Sequence, residues 1–133
     1  GAHLTLVVAE PTPSGRHDAL RVIDLARRME VPVVLCVNRW DLNPALAAEL
    51  ENEAAVLGVS AAGRVREDRG FVDAQMQGRS LVEHRPAPAA RDLHALWSQV
   101  RELFDVTEHE ASRIQPQVGY ATGREGCNGA TYE

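Results

Sequence analysis

The chain alternates short apolar runs with stretches whose apolar residues recur every three or four positions. Apolar runs cover residues 4–9 and 32–38, and a weaker one covers residues 59–65. Runs of this length, bounded by proline, glycine and polar residues, are typical of strands in a parallel sheet. We predict three strands, of which the first two are buried on both faces.

Helical periodicity fills the intervals between and after these runs. Residues 16–29 carry Leu20, Ile23, Ala26 and Met29 three apart, and Ser14 is a candidate cap. Residues 44–57 form a second predicted helix that begins at Pro44 and ends before Gly58. A short helix is expected at 71–77, and an amphipathic closing helix at 89–104. The closing helix is expected to bury Leu93, Leu96, Trp97, Val100 and Phe104.

Strand, helix and strand follow one another with tight joins. Such units form parallel sheets with right-handed crossovers, so the fold class is α/β. We interpret residues 1–104 as the C-terminal half of a doubly wound P-loop domain, with about three strands and flanking helices. Residues 105–133 lose the periodicity and are rich in glycine near their end. They are expected to form a mobile or partner-dependent tail.

The candidate ligand-binding side chains are concentrated where the second predicted strand ends, at Asn38, Arg39 and Asp41. Ligands of open α/β sheets bind outside the carboxyl ends of the strands. An amide and a carboxylate there can hydrogen-bond a purine, and a flat guanidinium can stack on it. The loop after the third strand, with Arg66, Glu67 and Asp68, should form the facing wall of this base site.

The phosphate-binding part of such a site is missing from the sequence. No G-x-x-x-x-G-K-[ST] motif occurs, and the sequence has 14 arginines but no lysine. This chain alone is therefore not expected to hydrolyse ATP, and no catalytic or metal-binding residue is assigned. Without contacts to the phosphates, we expect very weak nucleotide binding.

The overall charge and the cysteines narrow the class of protein. A net charge of −5 and arginines scattered between carboxylates argue against nucleic acid or an anionic membrane as partner. No apolar stretch approaches the roughly 20 residues of a membrane span, and no secretory signal opens the chain. A cytoplasmic location is expected. Cys36 lies in an apolar run and is interpreted as a small buried residue, and Cys127 has too few neighbouring ligands for a metal.

Several segments together resemble the MinD/ParA-type (deviant P-loop) ATPases, and within them the branch with an inserted ferredoxin-like iron–sulfur segment. The similarity covers about residues 2–101. The segments that carry it are EPTPSGRHD at 10–18, PVVLCVNRWD at 32–41, GRVRED at 63–68, FVDA at 71–74, Gly78 and LVE at 81–83. In that family the asparagine ending the strand contacts adenine, and a Pro-Glu-Asp-like loop gives backbone contacts to the base. Here Arg66 replaces the proline and does not fix φ as proline would.

The resemblance implies further properties of a complete protein. It would bind ATP and Mg²⁺, act as an ATP-driven switch or carrier, and serve iron–sulfur metabolism. Any iron–sulfur cluster, like the phosphate loop, would lie upstream of Gly1, and no cofactor is expected in this chain alone. A homo-oligomer is expected, because removing neighbouring strands exposes the edges of a parallel sheet.

Two other functions remain open from the residues. Asn38 to Asp41 approximates the guanine-specific Asn-Lys-x-Asp pattern, and Ser60-Ala61 approximates the Ser-Ala loop that follows it, which would indicate a GTPase fragment. A non-catalytic α/β interaction module would also lack the phosphate loop. Two polar features have simpler interpretations: Glu10 as an exposed carboxylate beside a turn, and Asp18 as a first-turn residue favoured by the helix dipole, beside an exposed His17.

Overall fold

The computed structural model describes residues 3–84 and 87–114, with side chains described up to residue 107. Its strands are β1 (Thr5–Ala9), β2 (Val33–Asn38) and β3 (Ser60–Val65). Its helices are α1 (Pro13–Arg28), α2 (Pro44–Val56), α3 (Gly70–Met76), α4 (Leu81–His84) and α5 (Pro88–Ile114). A short 3₁₀ turn, Trp40–Leu42, follows β2. Of the predicted tail at 105–133, residues 115–133, including Cys127, lie outside the described residues.

The three strands form one parallel sheet in the order β1-β2-β3. The predicted α/β architecture is thereby confirmed. The register pairs Ala9 with Val37 and Asn38 with Val65, so all three strands end at one edge of the sheet. Polar residues that follow these strands are brought together by this register.

Helices α1 and α2 cover one face of the sheet and enclose the main core. The fully buried side chains on this side include Ile23 of α1, Leu50 of α2, and Leu35 and Val37 of β2. Fully burying side chains of this size stabilises the fold by about 1.5–3 kcal/mol each. Cys36 points to the other face and is buried, as predicted, and burial raises the pKa of its thiol to about 11.

Helix α5 lies on that other face but packs mainly against β3. Strand β1 is therefore left uncovered there, and the prediction that β1 is buried on both faces is wrong. Leu6 and Val8 are 38% and 57% exposed, whereas Val7 and Ala9 are buried beneath the helices of the first face. The sheet thus offers an open apolar edge at β1.

The prediction that Trp97 belongs to the core is also wrong, because its side chain is 62% exposed. At about 100° per residue, Trp97 lies roughly 80° from the centre of the half-buried stripe on α5. That stripe contains Leu93, Leu96, Val100 and Leu103. A single underlying strand accommodates only a narrow stripe, so the flank that carries Trp97 remains in solvent.

Two helix ends differ from the sequence predictions. Helix α1 begins at Pro13, and Thr12 rather than Ser14 caps it, with its hydroxyl accepting a hydrogen bond from the N–H of Gly15 at 3.0 Å. Proline in the first turn has no N–H to leave unpaired, which favours this earlier start. Helix α5 continues to Ile114 and so passes the predicted end at Phe104.

Strand β3 contains one residue more than the matching part of β2. Leu35 pairs with Ala61 and Cys36 pairs with Gly63, so Ala62 has no partner of its own. This β-bulge reverses the alternation of side chains along the strand. Beyond it, Gly63 faces α5, where a Cβ would lie 3.6 Å from Leu96, and Arg64 faces α2, where it binds Glu51.

Candidate functional site

A cleft of about 290 Å³ lies at the carboxyl edge of the sheet. Each strand contributes to it: Glu10 follows β1, Asn38 ends β2 and Arg39 follows it, and the loop after β3 supplies the far side. The complete set of lining residues is Glu10, Asn38, Arg39, Arg66, Glu67, Asp68, Phe71 and Val72. Five of the six residues predicted to contact a base therefore line one cleft, and Asp41 lies just outside it.

Asn38 occupies the last position of β2 and is half-buried. Within the part of the chain that the structure describes, its side-chain amide has no hydrogen-bond partner. An amide offers two donors and an acceptor, and desolvating them without partners is unfavourable. The amide of Asn38 is thus free to bind a group that enters the cleft.

Arg39 is held in place by two carboxylates. Its Nε donates to Glu67 from the loop after β3, and its Nη1 lies 3.5 Å from Oε1 of Glu10 after β1. The hydrogen bond to Glu67, followed by the charges of Glu67 and Glu10, raises the pKa of Arg39. The backbone of Arg39 is left-handed, with φ of 54° and ψ of 35°. Residues other than glycine rarely adopt this conformation, which here turns the chain sharply as it leaves β2.

Asp41 joins the two loops of the cleft instead of lining it. Its Oδ1 accepts a hydrogen bond from the backbone N–H of Glu67 at 2.8 Å. A charge-assisted bond of this kind fixes the distance between the loop after β2 and the loop after β3. The role that this contact supports for Asp41 is to hold the cleft open at a set width.

The far wall of the cleft is anchored to α5 by two acidic residues. Asp92 of α5 accepts bonds from the N–H, Nε and Nη2 of Arg66 at 3.1, 2.7 and 2.9 Å. Hydrogen bonding from Arg66 lowers the pKa of Asp92. Asp68 accepts from the backbone N–H of Gly70 at 2.8 Å and of Ala89 at 3.2 Å. The guanidinium of Arg66 is therefore engaged in structure, and Asp68 shapes the loop.

The structure adds lining residues that the sequence reasoning did not assign to the base site. Glu10, which the sequence indicates as an exposed carboxylate beside a turn, has a side chain that is 44% exposed and also lines the cleft. A signal was present, because Glu10 follows its strand just as Asn38 closes the next one. Phe71 and Val72 also line the cleft, 37% and 61% exposed. Their position in a predicted helix gave no indication of this exposure.

Other candidates lie away from the cleft. His17 and Asp18 are exposed neighbours on α1, with Nδ1 and Oδ1 3.4 Å apart. Asp18 falls in the second turn of α1, not the first as predicted, because the helix begins at Pro13. Among residues 3–84 and 87–107, no group of three or more histidine, cysteine or acidic side chains could hold a metal ion.

The geometry disfavours the guanine-binding interpretation. Ser60 and Ala61 begin β3, and Ser60 pairs with Val34 at the opposite end of β2 from Asn38. Four residues of strand separate the two positions, or about 13 Å at 3.3 Å per residue. The Ser-Ala pair therefore does not follow its strand as a base-binding loop would.

Comparisons with known proteins identify the fold. No protein-family model and no curated protein sequence matches the chain. The described part of the chain contains no helix long and apolar enough to cross a membrane. The cell division ATPase MinD of Pyrococcus furiosus matches with a TM-score of 0.64 at 20% identity, over 77% of this chain and 44% of that one.

The MinD cell division protein of Aquifex aeolicus matches with a TM-score of 0.57 at 24% identity, over 86% of this chain and 46% of that one. The same protein in a MinC:MinD complex gives 0.57 at 24%, over 86% and 45%. The chain thus spans less than half the length of these structures. Over the part that it spans, it has the α/β fold of the MinD-like P-loop ATPases.

Proposed function

We propose that this chain forms the base-binding part of a MinD-type, nucleotide-binding ATPase. The observation that carries the proposal is the amide of Asn38, unpaired among the described residues at the carboxyl end of β2 and inside a cleft that Arg39 borders. An amide can donate to and accept from the edge of adenine. The surrounding loops, tied together through Asp41, hold it in a fixed position.

In the complete protein, ATP and Mg²⁺ would bind chiefly through residues that this chain does not contain, since it has no Gly-x-x-x-x-Gly-Lys motif. Phosphoryl transfer depends on such residues and on the metal ion. The 133 residues alone should bind a nucleoside weakly and should not hydrolyse ATP. The proposed role of the complete protein is an ATP-driven switch that works as a homo-oligomer in the cytoplasm.

We extend the proposal to iron–sulfur metabolism on the basis of the sequence resemblance alone. The segment at 10–18 and the loop at 63–68 resemble the MinD-type branch with an iron–sulfur insert. The cluster itself would be held by cysteines outside these 133 residues. Iron and sulfide analysis of the complete protein, purified without oxygen, would test this part separately.

The central proposal is tested by titrating the chain with adenosine, ATP and GTP. Two-dimensional NMR of the backbone amides measures the binding of each. We expect adenosine to shift the signals of residues 38–41 and 66–68, and ATP to bind scarcely more tightly than adenosine. Asn38→Ala should weaken binding by about 1–3 kcal/mol, the usual loss when a buried polar partner is removed. His17→Ala, on the exposed face of α1, is the matched control and should leave binding unchanged.

Two results would contradict the proposal. If Asn38→Ala binds adenosine as well as the unmodified chain does, the end of β2 is only a turn. A strong preference for GTP would instead favour the guanine-specific alternative. The contact between Asp41 and the N–H of Glu67 supports the adenine proposal, because it engages the carboxylate that a guanine site would use.

A further inference from the structure

The cleft combines a charged flat group with an exposed aromatic ring. Arg39 and Phe71 both line it, although they follow different strands. Phe71 is one of two phenylalanines in the chain and is 37% exposed. Phe71 belongs to neither of the two clusters of buried apolar residues that form the described core.

The two carboxylates around Arg39 determine which part of its side chain is available. Glu67 binds Nε, and Glu10 lies beside Nη1, so both carboxylates interact with the edge of the guanidinium. Guanidinium groups paired along their edges remain able to stack through their flat faces. The side chain of Arg39 is 42% exposed, and the residue lines the cleft.

The size of the cleft limits what can enter. Ligand pockets usually measure about 300–1000 Å³, and at about 290 Å³ this cleft is at the lower limit. It suits one planar ring system and not a whole nucleotide. Val72, also exposed, extends the apolar wall beside Phe71.

We propose that the cleft holds a nucleobase by stacking, with the ring of Phe71 and the guanidinium of Arg39 as its flat contact surfaces. This inference rests on the proposed function and adds residues that recognise the aromatic faces of the base, whereas Asn38 recognises its edge. Glu10 and Glu67 act as positioning residues, because they fix the guanidinium without touching the base.

The proposal is tested by substitutions that remove the planar group of a side chain but keep its approximate size or its charge. With adenosine as the probe and NMR titration as the measurement, Phe71→Leu should raise Kd at least about fivefold, the lower range for loss of a base–aromatic stack. Phe71→Trp should keep binding, since it retains an aromatic face. Arg39→Lys keeps the charge but loses the plane, and should also weaken binding.

Phe104→Leu is the matched control, because Phe104 is equally exposed at 37% but lies on α5, and it should leave Kd unchanged.

If Phe71→Leu binds adenosine as the unmodified chain does while Asn38→Ala binds weakly, stacking is refuted and the base site stands. If Phe71→Trp loses as much as Phe71→Leu, the ring has only a structural role and the proposal fails. Absence of any adenosine binding to the unmodified chain would refute both proposals. A loss with Phe71→Leu but none with Asn38→Ala would support stacking and refute recognition by the amide.

Discussion

The contact between Arg66 and Asp92 joins the wall of the cleft to α5, and its removal should cost measurable stability. Three hydrogen bonds of 2.7–3.1 Å run from Arg66 to one carboxylate. The side chain of Asp92 is 14% exposed, whereas that of Arg66 is 41% exposed. The acid is therefore largely removed from water, and the base is not.

We take Asp92→Asn as the perturbation, because asparagine keeps the shape and loses the charge. Hydrogen bonds to charged groups contribute about 1.5–3 kcal/mol each, but exposed ion pairs contribute only about 0–1 kcal/mol. Arg66 can be rehydrated when its partner changes, and the asparagine oxygen can still accept one bond. The free energy of unfolding should therefore fall by about 1–2 kcal/mol.

The pH dependence gives the sign of the effect. Arg66 lowers the pKa of Asp92 below its ordinary value of 3.8, so the folded state favours the ionised acid. The stabilisation is complete above that ordinary value and is lost as pH falls through the lowered pKa. The unmodified chain and Asp92→Asn should thus differ at pH 7 and converge in strong acid.

Urea denaturation at pH 7, 5 and 3 measures this difference. Asp24→Asn is the control, because Asp24 forms an exposed pair with Arg28 at 2.8 Å and should contribute less than about 0.5 kcal/mol. Equal stability of Asp92→Asn and the unmodified chain at pH 7 would refute the reasoning. So would a difference as large at pH 3 as at pH 7, since the stabilisation should decline once the pH is below the ordinary pKa of 3.8.

Three further predictions concern other parts of the chain. Gly15→Ala should lower the free energy of unfolding by about 1–3 kcal/mol, as measured by urea denaturation, because the new Cβ would lie 2.5 Å from a backbone oxygen just past β1. Ser14→Ala, its neighbour, is the control, and a more stable Gly15→Ala would contradict the steric argument. In a Cys127→Ser background, Cys36 should react with iodoacetamide at pH 8 only after unfolding, because its pKa is raised to about 11; rapid modification of the folded chain would disprove this. The uncovered β1 edge should drive self-association of the unmodified chain, which sedimentation velocity would detect, and Val8→Lys should abolish it. If the unmodified chain is a monomer at high concentration, this prediction is refuted.

The fold was predictable because the local signals agreed with each other. The apolar run before Asn38 and the proline and glycine that bound α2 each indicated one element. Parallel pairing then followed from the tight joins between strands and helices. The errors arose where neighbours decide burial. Val8 and Trp97 are apolar and correctly placed in their elements, but which faces are covered depends on how far α5 extends over the sheet.

The candidate site was predictable to the level of strand ends and not to the level of contacts. Topology brings Asn38 and the loop after β3 together, as the register requires. The sequence does not reveal that Asp41 binds a backbone N–H or that Asp92, 26 residues from Arg66, binds its guanidinium. The first contact depends on the register of β2 and β3 and the second on the packing of α5, and no local pattern encodes either of them.

The unpaired Ala62 links the length of β3 to the chemistry of the sheet edge. If Ala62 paired with Cys36 instead, Gly63 would lie against α2 and Arg64 beneath α5, since each later side chain would change face. The following loop would also move one position past Asn38, so that the N–H of Glu67 would no longer meet Asp41. The bulge therefore sets the position of the far wall of the cleft from a distance, and a substitution that favours regular pairing through Ala62 should disrupt the cleft without changing any residue that lines it.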